Sequence, residues 1–206
     1  MPFEGNYNYY LIALTVVIAI IASFLALKCN KLEKMAYTDA MSGLANRNEM
    51  KRFFDKQNGK ESIAILFLDL DQFKAINDTL GHNIGDLLVK AVGSRLHSFI
   101  TGKQQVFRIG GDEFLIISID CLQDGAELLA KQIFQKIKEP YFLEGNELTI
   151  TGSIGISIGS VQGSDHSILL KAADIAMYRA KGLGRDQYYV YQEETGIQAD
   201  QMEEDD

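Results

Sequence analysis

Apolar and polar positions divide the chain into two unlike parts. Residues 9–27 are apolar except for Thr15 and Ser23, and no charge occurs between Gly5 and Leu27. A bilayer core of about 30 Å takes about 20 helical residues. The run therefore predicts one transmembrane helix over 9–27, after a short extracytoplasmic N-terminus of residues 1–8. Beyond it the period switches repeatedly between strand and helix. Asn46 and Glu49 have the spacing of a capping box and open an amphipathic helix over 47–57. The unbroken apolar run at 63–68 predicts a central strand buried on both faces. Over 85–99, Leu88, Val92, Leu96 and Phe99 form one helical stripe. Strands at 106–109 and 114–119 flank Gly110-Gly111-Asp112-Glu113 as a hairpin. A helix over 122–138 stops before Pro140, and strands 141–143 and 148–150 make a second small hairpin. A strand at 153–157, a helix at 167–180 and a strand at 187–191 complete the order. This succession predicts an α+β sandwich, a sheet backed by helices, and contains no internal repeat.

Charge refines the picture at both ends. Lys28, Lys31 and Lys34 follow the apolar run, whereas only Glu4 precedes it, so the positive-inside rule places residues 28–206 in the cytoplasm. Tyr7, Tyr9 and Tyr10 stand where an interfacial aromatic belt would anchor the span. A cleaved signal peptide is the rival reading, but it would carry its positive charge before the apolar run. Residues 28–37 read as a juxtamembrane linker helix that would extend the span as a coiled coil too short for its heptads to identify. Residues 38–191 form the main domain, and 192–206 an acidic disordered tail. Lys+Arg total 20 against Asp+Glu 28, a net charge of −8, yet seven acids fall in the last fourteen residues. The body is thus nearly neutral, which excludes a nucleic-acid-coating protein. Cys29 and Cys121 make no disulfide framework, and no Cys/His cluster suggests zinc.

Candidate chemistry begins where the buried run ends, at Asp69-Leu70-Asp71. Acids at the end of an apolar strand are costly unless something pairs with them. A second acidic pair, Asp112-Glu113, follows two glycines that permit close approach of a ligand. If the two segments meet, three or four carboxylates converge with no equally dense basic cluster beside them. Oxygen ligands without His or Cys select Mg²⁺ or Mn²⁺ over zinc. Taken singly, Asp-x-Asp is an ordinary turn or cap and Gly-Gly-Asp-Glu an ordinary hairpin tip.

Together these residues resemble the GGDEF domains, the diguanylate cyclases. The resemblance rests on Arg108-Ile109-Gly110-Gly111-Asp112-Glu113-Phe114, on the entry motif from Asp39 to Arg47, in which Met41 and Ser42 depart mildly, and on Phe67 to Asp78 with Gly81-His82 and Gly85-Asp86. Ala176 to Lys181, followed by Gly184-Arg185, extends it to nearly the whole domain. It implies a ferredoxin-like sandwich related to nucleotidyl cyclases, and condensation of two GTP into cyclic di-GMP with release of two pyrophosphates. It further implies that Asp69, the Leu70 carbonyl and Asp112 hold Mg²⁺, while Glu113 completes the metal site or helps deprotonate the attacking 3′-hydroxyl. Lys74, Arg108, Lys181 and Arg185 would engage the triphosphate, Lys181 and Arg185 reading otherwise as a solvated helix end. Asn77 and Asp86 would read the base, with Asp86 selecting guanine; its plainer reading is the N-cap of the 85–99 helix. Asp71 and Asp78 are expected to shape the turn, and His82 to be structural.

One domain holds one GTP, so the resemblance implies a homodimer when active. The inhibitory Arg-x-x-Asp that many members carry is replaced by Thr101-Gly102-Lys103-Gln104, so no inhibitory product site is expected. The 206 residues show no separate sensor, receiver or phosphodiesterase domain, which leaves regulation to the span, an unknown regulatory partner or expression. The expected location is a bacterial-type cytoplasmic membrane, single-pass. The alternative function is a catalytically silent GGDEF domain that senses GTP or an effector; a cyclase for another dinucleotide and a dimerising scaffold are further readings.

Overall fold

The computed structural model describes residues 4–57, 61–160 and 166–192, with side chains from Tyr7 onward. The acidic tail assigned to 192–206 lies, beyond Gln192, outside the described residues. Helix α1 (Glu4–Tyr37) runs unbroken through the apolar stretch and the juxtamembrane linker. It is long and apolar enough to cross a membrane. Its Thr and Ser hydroxyls are satisfied within the helix: Thr15 Oγ1 donates to the Ile12 carbonyl and Ser23 Oγ to that of Ala19.

The domain that follows consists of β1 (Ala45–Asn46), α2 (Arg47–Asp55), β2 (Ser62–Leu70), α3 (Phe73–Leu80), α4 (His82–His97), β3 (Gln104–Arg108) and β4 (Glu113–Ile119). It continues with α5 (Gln123–Ile137), β5 (Tyr141–Leu143), β6 (Asn146–Leu148), β7 (Gly152–Ser160), α6 (His166–Gly182) and β8 (Tyr188–Val190). Six strands form one mixed sheet in the order β1-β3-β4-β2-β7-β8, and β5-β6 is a separate hairpin. The expected α+β sandwich is what the structure has.

β2 lies at the centre, antiparallel to β4 and β7, and is buried along nearly its whole length. Its alternation supplies two cores. Ala64, Leu66, Leu68 and Leu70 pack with Leu88, Val92 and Ile133 from α4 and α5. Ile63, Ile65 and Phe67 pack with Met50 and Phe54 of α2 and Ala173 and Met177 of α6. A Cβ on Gly155 of β7 would collide with the backbone of α6 at Ala173 and Met177. Glycine there lets α6 sit directly on the sheet.

Several boundaries differ from the sequence reading. The helix expected from residue 85 begins at His82, because Gly81, at φ +87°, turns the chain into it. Asp86 is consequently inside α4 and not its N-cap. α3 went unread: it has eight residues, none buried, and follows Gln72 at φ +57°. The second hairpin closes two residues early, since Glu144 and Gly145 both take positive φ and form a tight turn. Of the capping box only half forms. The Asn46 side chain accepts from the Asn48 and Glu49 amides, while Glu49 faces Arg52 at 3.6 Å.

Candidate active site

Strand register brings the two acidic segments together. Asp69, one residue from the end of β2, pairs directly with Glu113, the first residue of β4. The Leu70 amide donates to the Asp112 carbonyl at 3.2 Å, carrying the pairing past the strand end. Alternation puts Asp69 on the same face of β2 as Ile65 and Phe67, the face covered by α6. From that helix Lys181 reaches Asp69, Nζ to Oδ2 at 2.8 Å. Glu113 folds back over the hairpin, where a Cβ on Gly110 would collide with its carboxylate. Gly110 is thus the close-approach glycine of the turn.

Asp69 is 8% exposed. Burial pushes its carboxyl above the usual range; the Lys181 hydrogen bond opposes this, and the Asp112 and Glu113 charges add to the rise. One lysine does not balance three carboxylates, so the cluster favours an added cation. Among the described residues no three His, Cys, Asp or Glu side chains close into a ready-made metal cage. The groups here that could hold a hard cation are the oxygens of Asp69, Asp112 and Glu113 with the Leu70 carbonyl.

Asp71, two residues on, has another environment. β2 ends at Leu70, and the buried Asp71 carboxylate accepts from Thr151 Oγ1, Ser153 Oγ and the Asp186 amide at 2.7, 2.7 and 3.0 Å. Asp186 belongs to the loop after α6, in which Gly184, Arg185 and Asp186 all have positive φ. Asp71 therefore pins the loop that presents the exposed Arg185. A turn-shaping role was expected for Asp71, but its partners lie 80 or more residues away and leave no local mark in the sequence.

Arg108 stands at the end of β3 with its side chain 11% exposed. Nη1 meets Asp39 Oδ1 at 2.8 Å, while Nε and Nη2 both donate to the Gly111 carbonyl. Asp39 also accepts from the Ser42 amide and hydroxyl. Burial would raise the Asp39 carboxyl, but the bonds from Arg108 and Ser42 outweigh it and hold the group below its ordinary value. In this structure Arg108 thus braces the acidic hairpin against the entry turn that follows α1.

The base-side residues come from α3 and α4. Lys74 is exposed on α3, and Asn77 packs so closely on α4 that a Cβ on Gly85 would collide with its Oδ1. Asp86 instead lines an open cleft of about 580 Å³ with Met41, Asn83, Lys90 and Glu144. Thr101, at the position where product inhibition was considered, caps the turn into β3 by accepting from the Lys103 and Gln104 amides.

A second cleft, of about 460 Å³, opens beside Glu113 between α2 and α6. Arg47, Lys51 and Lys171 are on its rim and Met50, Phe67 and Leu170 on its floor. The sequence reading missed these cations. They come from two helices more than a hundred residues apart and follow no motif spacing.

Comparison with known proteins gives the family. The family model for the diguanylate cyclase GGDEF domain matches residues 36–187. The chain belongs to the GGDEF family. One GGDEF relative, the diguanylate cyclase DgcP of Escherichia coli, is 39% identical over 152 residues, covering 71% of this chain and 45% of that protein. Another, the cyclic di-GMP phosphodiesterase NbdA of Pseudomonas aeruginosa, is 38% identical over 184 residues, covering 84% of this chain but 23% of that protein. The chain thus spans less than half the length of either. Among solved structures, the coiled coil and GGDEF domain of Caulobacter crescentus DgcB in complex with c-di-GMP aligns with TM-score 0.79 at 25% identity, over 87% of this chain and 98% of that one. Membership in this family ties the chain to cyclic di-GMP metabolism.

Proposed function

We propose that the chain is a diguanylate cyclase, joining two GTP molecules into cyclic di-GMP and releasing two pyrophosphates. The observation that carries this is the pairing of Asp69 with Glu113 across adjacent strands, with Asp112 beside Leu70 and Lys181 against the cluster. In each of two steps the 3′-hydroxyl oxygen of one nucleotide bonds to the α-phosphorus of the other. The bond from that phosphorus to the bridging oxygen breaks, and pyrophosphate leaves with the electron pair.

Asp69, the Leu70 carbonyl, Asp112 and Glu113 are the groups that would hold Mg²⁺ or Mn²⁺, which when bound supplies positive charge to acidify the hydroxyl and offset charge growing at the α-phosphate. Glu113 also stands ready to accept the hydroxyl proton. Lys181, 28% exposed, reaches a phosphate from the position where it now meets Asp69. Lys74, Arg108 and Arg185 add charge from α3, the end of β3 and the loop after α6, and Arg108 also braces the hairpin through Asp39 and the Gly111 carbonyl. Asp86 accepts the two N–H groups on the Watson–Crick edge of guanine; adenine presents a mismatched pattern and leaves the carboxylate unpaired. Asn77 supports the base from α3.

Two copies must face each other, because each domain supplies one nucleotide. We read residues 9–27 as a single-pass membrane anchor and 28–37 as the linker to a cytoplasmic domain over 38–191. The turn at Thr101-to-Gln104 predicts little product inhibition there. A silent nucleotide-sensing domain is the second reading, favoured by relatives such as NbdA that are named for phosphodiesterase activity. The test is incubation of the full chain in detergent with GTP and Mg²⁺, with products resolved by mass. Cyclic di-GMP from GTP and no cyclic product from ATP supports the cyclase; GTP bound but unconverted supports the sensor.

A further inference from the structure

The cations of the cleft beside Glu113 take no part in the proposed chemistry. Its lining carries Arg47, Lys51 and Lys171 against two acids, Glu113 and Asp174. The Asp86 cleft has the opposite balance, with Lys90 against Asp86 and Glu144. Among the described residues none of the three cations enters an ion pair, whereas Arg52, also on α2, is held by Glu33 at 3.0 Å. Arg47 opens α2 and His166 opens α6, so both helices start at the cleft and bring the positive ends of their dipoles to it. A cation at such an end works against the dipole. α6 has no acid in its first turn, and Glu49, the acid in that of α2, faces Arg52 instead. The floor of Met50, Phe67 and Leu170 supplies no counter-charge. At about 460 Å³ the cleft is within the size range of small-molecule sites.

We infer that this cleft is the release subsite for pyrophosphate, which Arg47, Lys51 and Lys171 draw away from the carboxylates once it has left the α-phosphate. The inference deepens the cyclase reading and rests on it. Pyrophosphate departs beside Asp69, Asp112 and Glu113, and Lys181 there is shared with Asp69 at 2.8 Å. The cleft contains Glu113 in its own wall, so it begins where the leaving group departs. Cations on two separate helices suit an anion whose charge is spread over two phosphoryl groups. Lys51 and Lys171 are exposed, so salt screens their hold and the anion can pass on to solvent. No bond forms or breaks in this step. The pyrophosphate already carries the electron pair of the cleaved bond to phosphorus.

Equilibrium binding of labelled inorganic pyrophosphate to the full chain in detergent with Mg²⁺ tests it. Saturating α,β-methylene-GTP is present, which fills the substrate site and cannot release pyrophosphate. The parent should still bind pyrophosphate beside the analogue. The double variant Lys51→Gln/Lys171→Gln should raise its Kd at least about ten-fold, because charge-assisted contacts are lost. Both lysines are exposed, so that variant should melt with the parent. Lys131→Gln/Lys136→Gln, which takes two charges from α5, should leave the Kd unchanged. The analogue's own affinity should hold in both variants, since its triphosphate is met by Lys181 and Arg185. No pyrophosphate bound beside the analogue, equal Kd in parent and Lys51→Gln/Lys171→Gln, or an analogue affinity that falls by the same factor would overturn the subsite. ATP that displaces the label more strongly than unlabelled pyrophosphate does would mark an effector site and overturn the release role. Binding needs no turnover, so a chain that makes no cyclic di-GMP would overturn the cyclase reading while leaving the cleft a pyrophosphate site.

Discussion

Asp69 and Asp71 are two residues apart and equally hidden, at 8% and 6% exposure, yet the fold treats them oppositely. Asp71 is saturated by three hydrogen bonds and fastens β7 and the loop after α6 to the end of the central strand. Asp69 has one lysine, two neighbouring carboxylates and a carboxyl pushed upward by burial. Burial of an acid therefore says little about its use. What separates a fastening from a reactive group is whether its lone pairs are already taken. The saturated carboxylate holds the geometry in which the frustrated one can work.

The largest expected effect would erase both regions at once. Gly155→Val drives a side chain into the backbone of α6, the helix that carries Lys181 and leads to Asp186, and backbone cannot yield as a side-chain tip can. The chain should fail to give a cooperative melting transition by circular dichroism. Next, Asp71→Ala leaves three wholly or partly buried donors unpaired, at about 1–3 kcal/mol each, and should cost several kcal/mol in all. At roughly 2–4 °C per kcal/mol that is a fall in Tm of roughly 10 °C, read by calorimetry. Glu113→Gln should lower cyclic di-GMP formation at least about 100-fold, about 2.7 kcal/mol of barrier, with Tm nearly unchanged.

The smallest effect concerns the brace. A carboxyl held low in the fold contributes stability that is present above its unfolded value, 3.8 for Asp39, and is lost as pH falls through the folded value. The difference in Tm between the parent and Asp39→Asn should therefore be steady at neutral pH and shrink below about pH 4.

How much of this was legible in the sequence depends on how local the cause is. The apolar run at 63–68 marked β2, and the glycines before Asp112-Glu113 marked the hairpin, because one stretch of chain contains each signal. The convergence of Asp69 with Glu113 needed the strand register, which the sequence only suggested through a family resemblance. α4 was misplaced at its start because the signal lay in the dihedral of Gly81, and Asp86 lost its capping role as a result. The cations at Arg47, Lys51 and Lys171, and the partners of Asp71, arise from segments that meet only in the folded chain.

The most direct test compares Asp69→Asn with Asp71→Asn, measuring Tm and the rate of cyclic di-GMP formation on the same samples. Asn at 69 removes a charge that the fold already disfavours, so Tm should change by only a few degrees while product formation falls at least about 100-fold. Asn at 71 should lower Tm by several degrees more than Asn at 69, with any loss of rate following the loss of folded protein. Parental turnover in Asp69→Asn, or an unchanged Tm in Asp71→Asn, would contradict the division of roles between the two carboxylates.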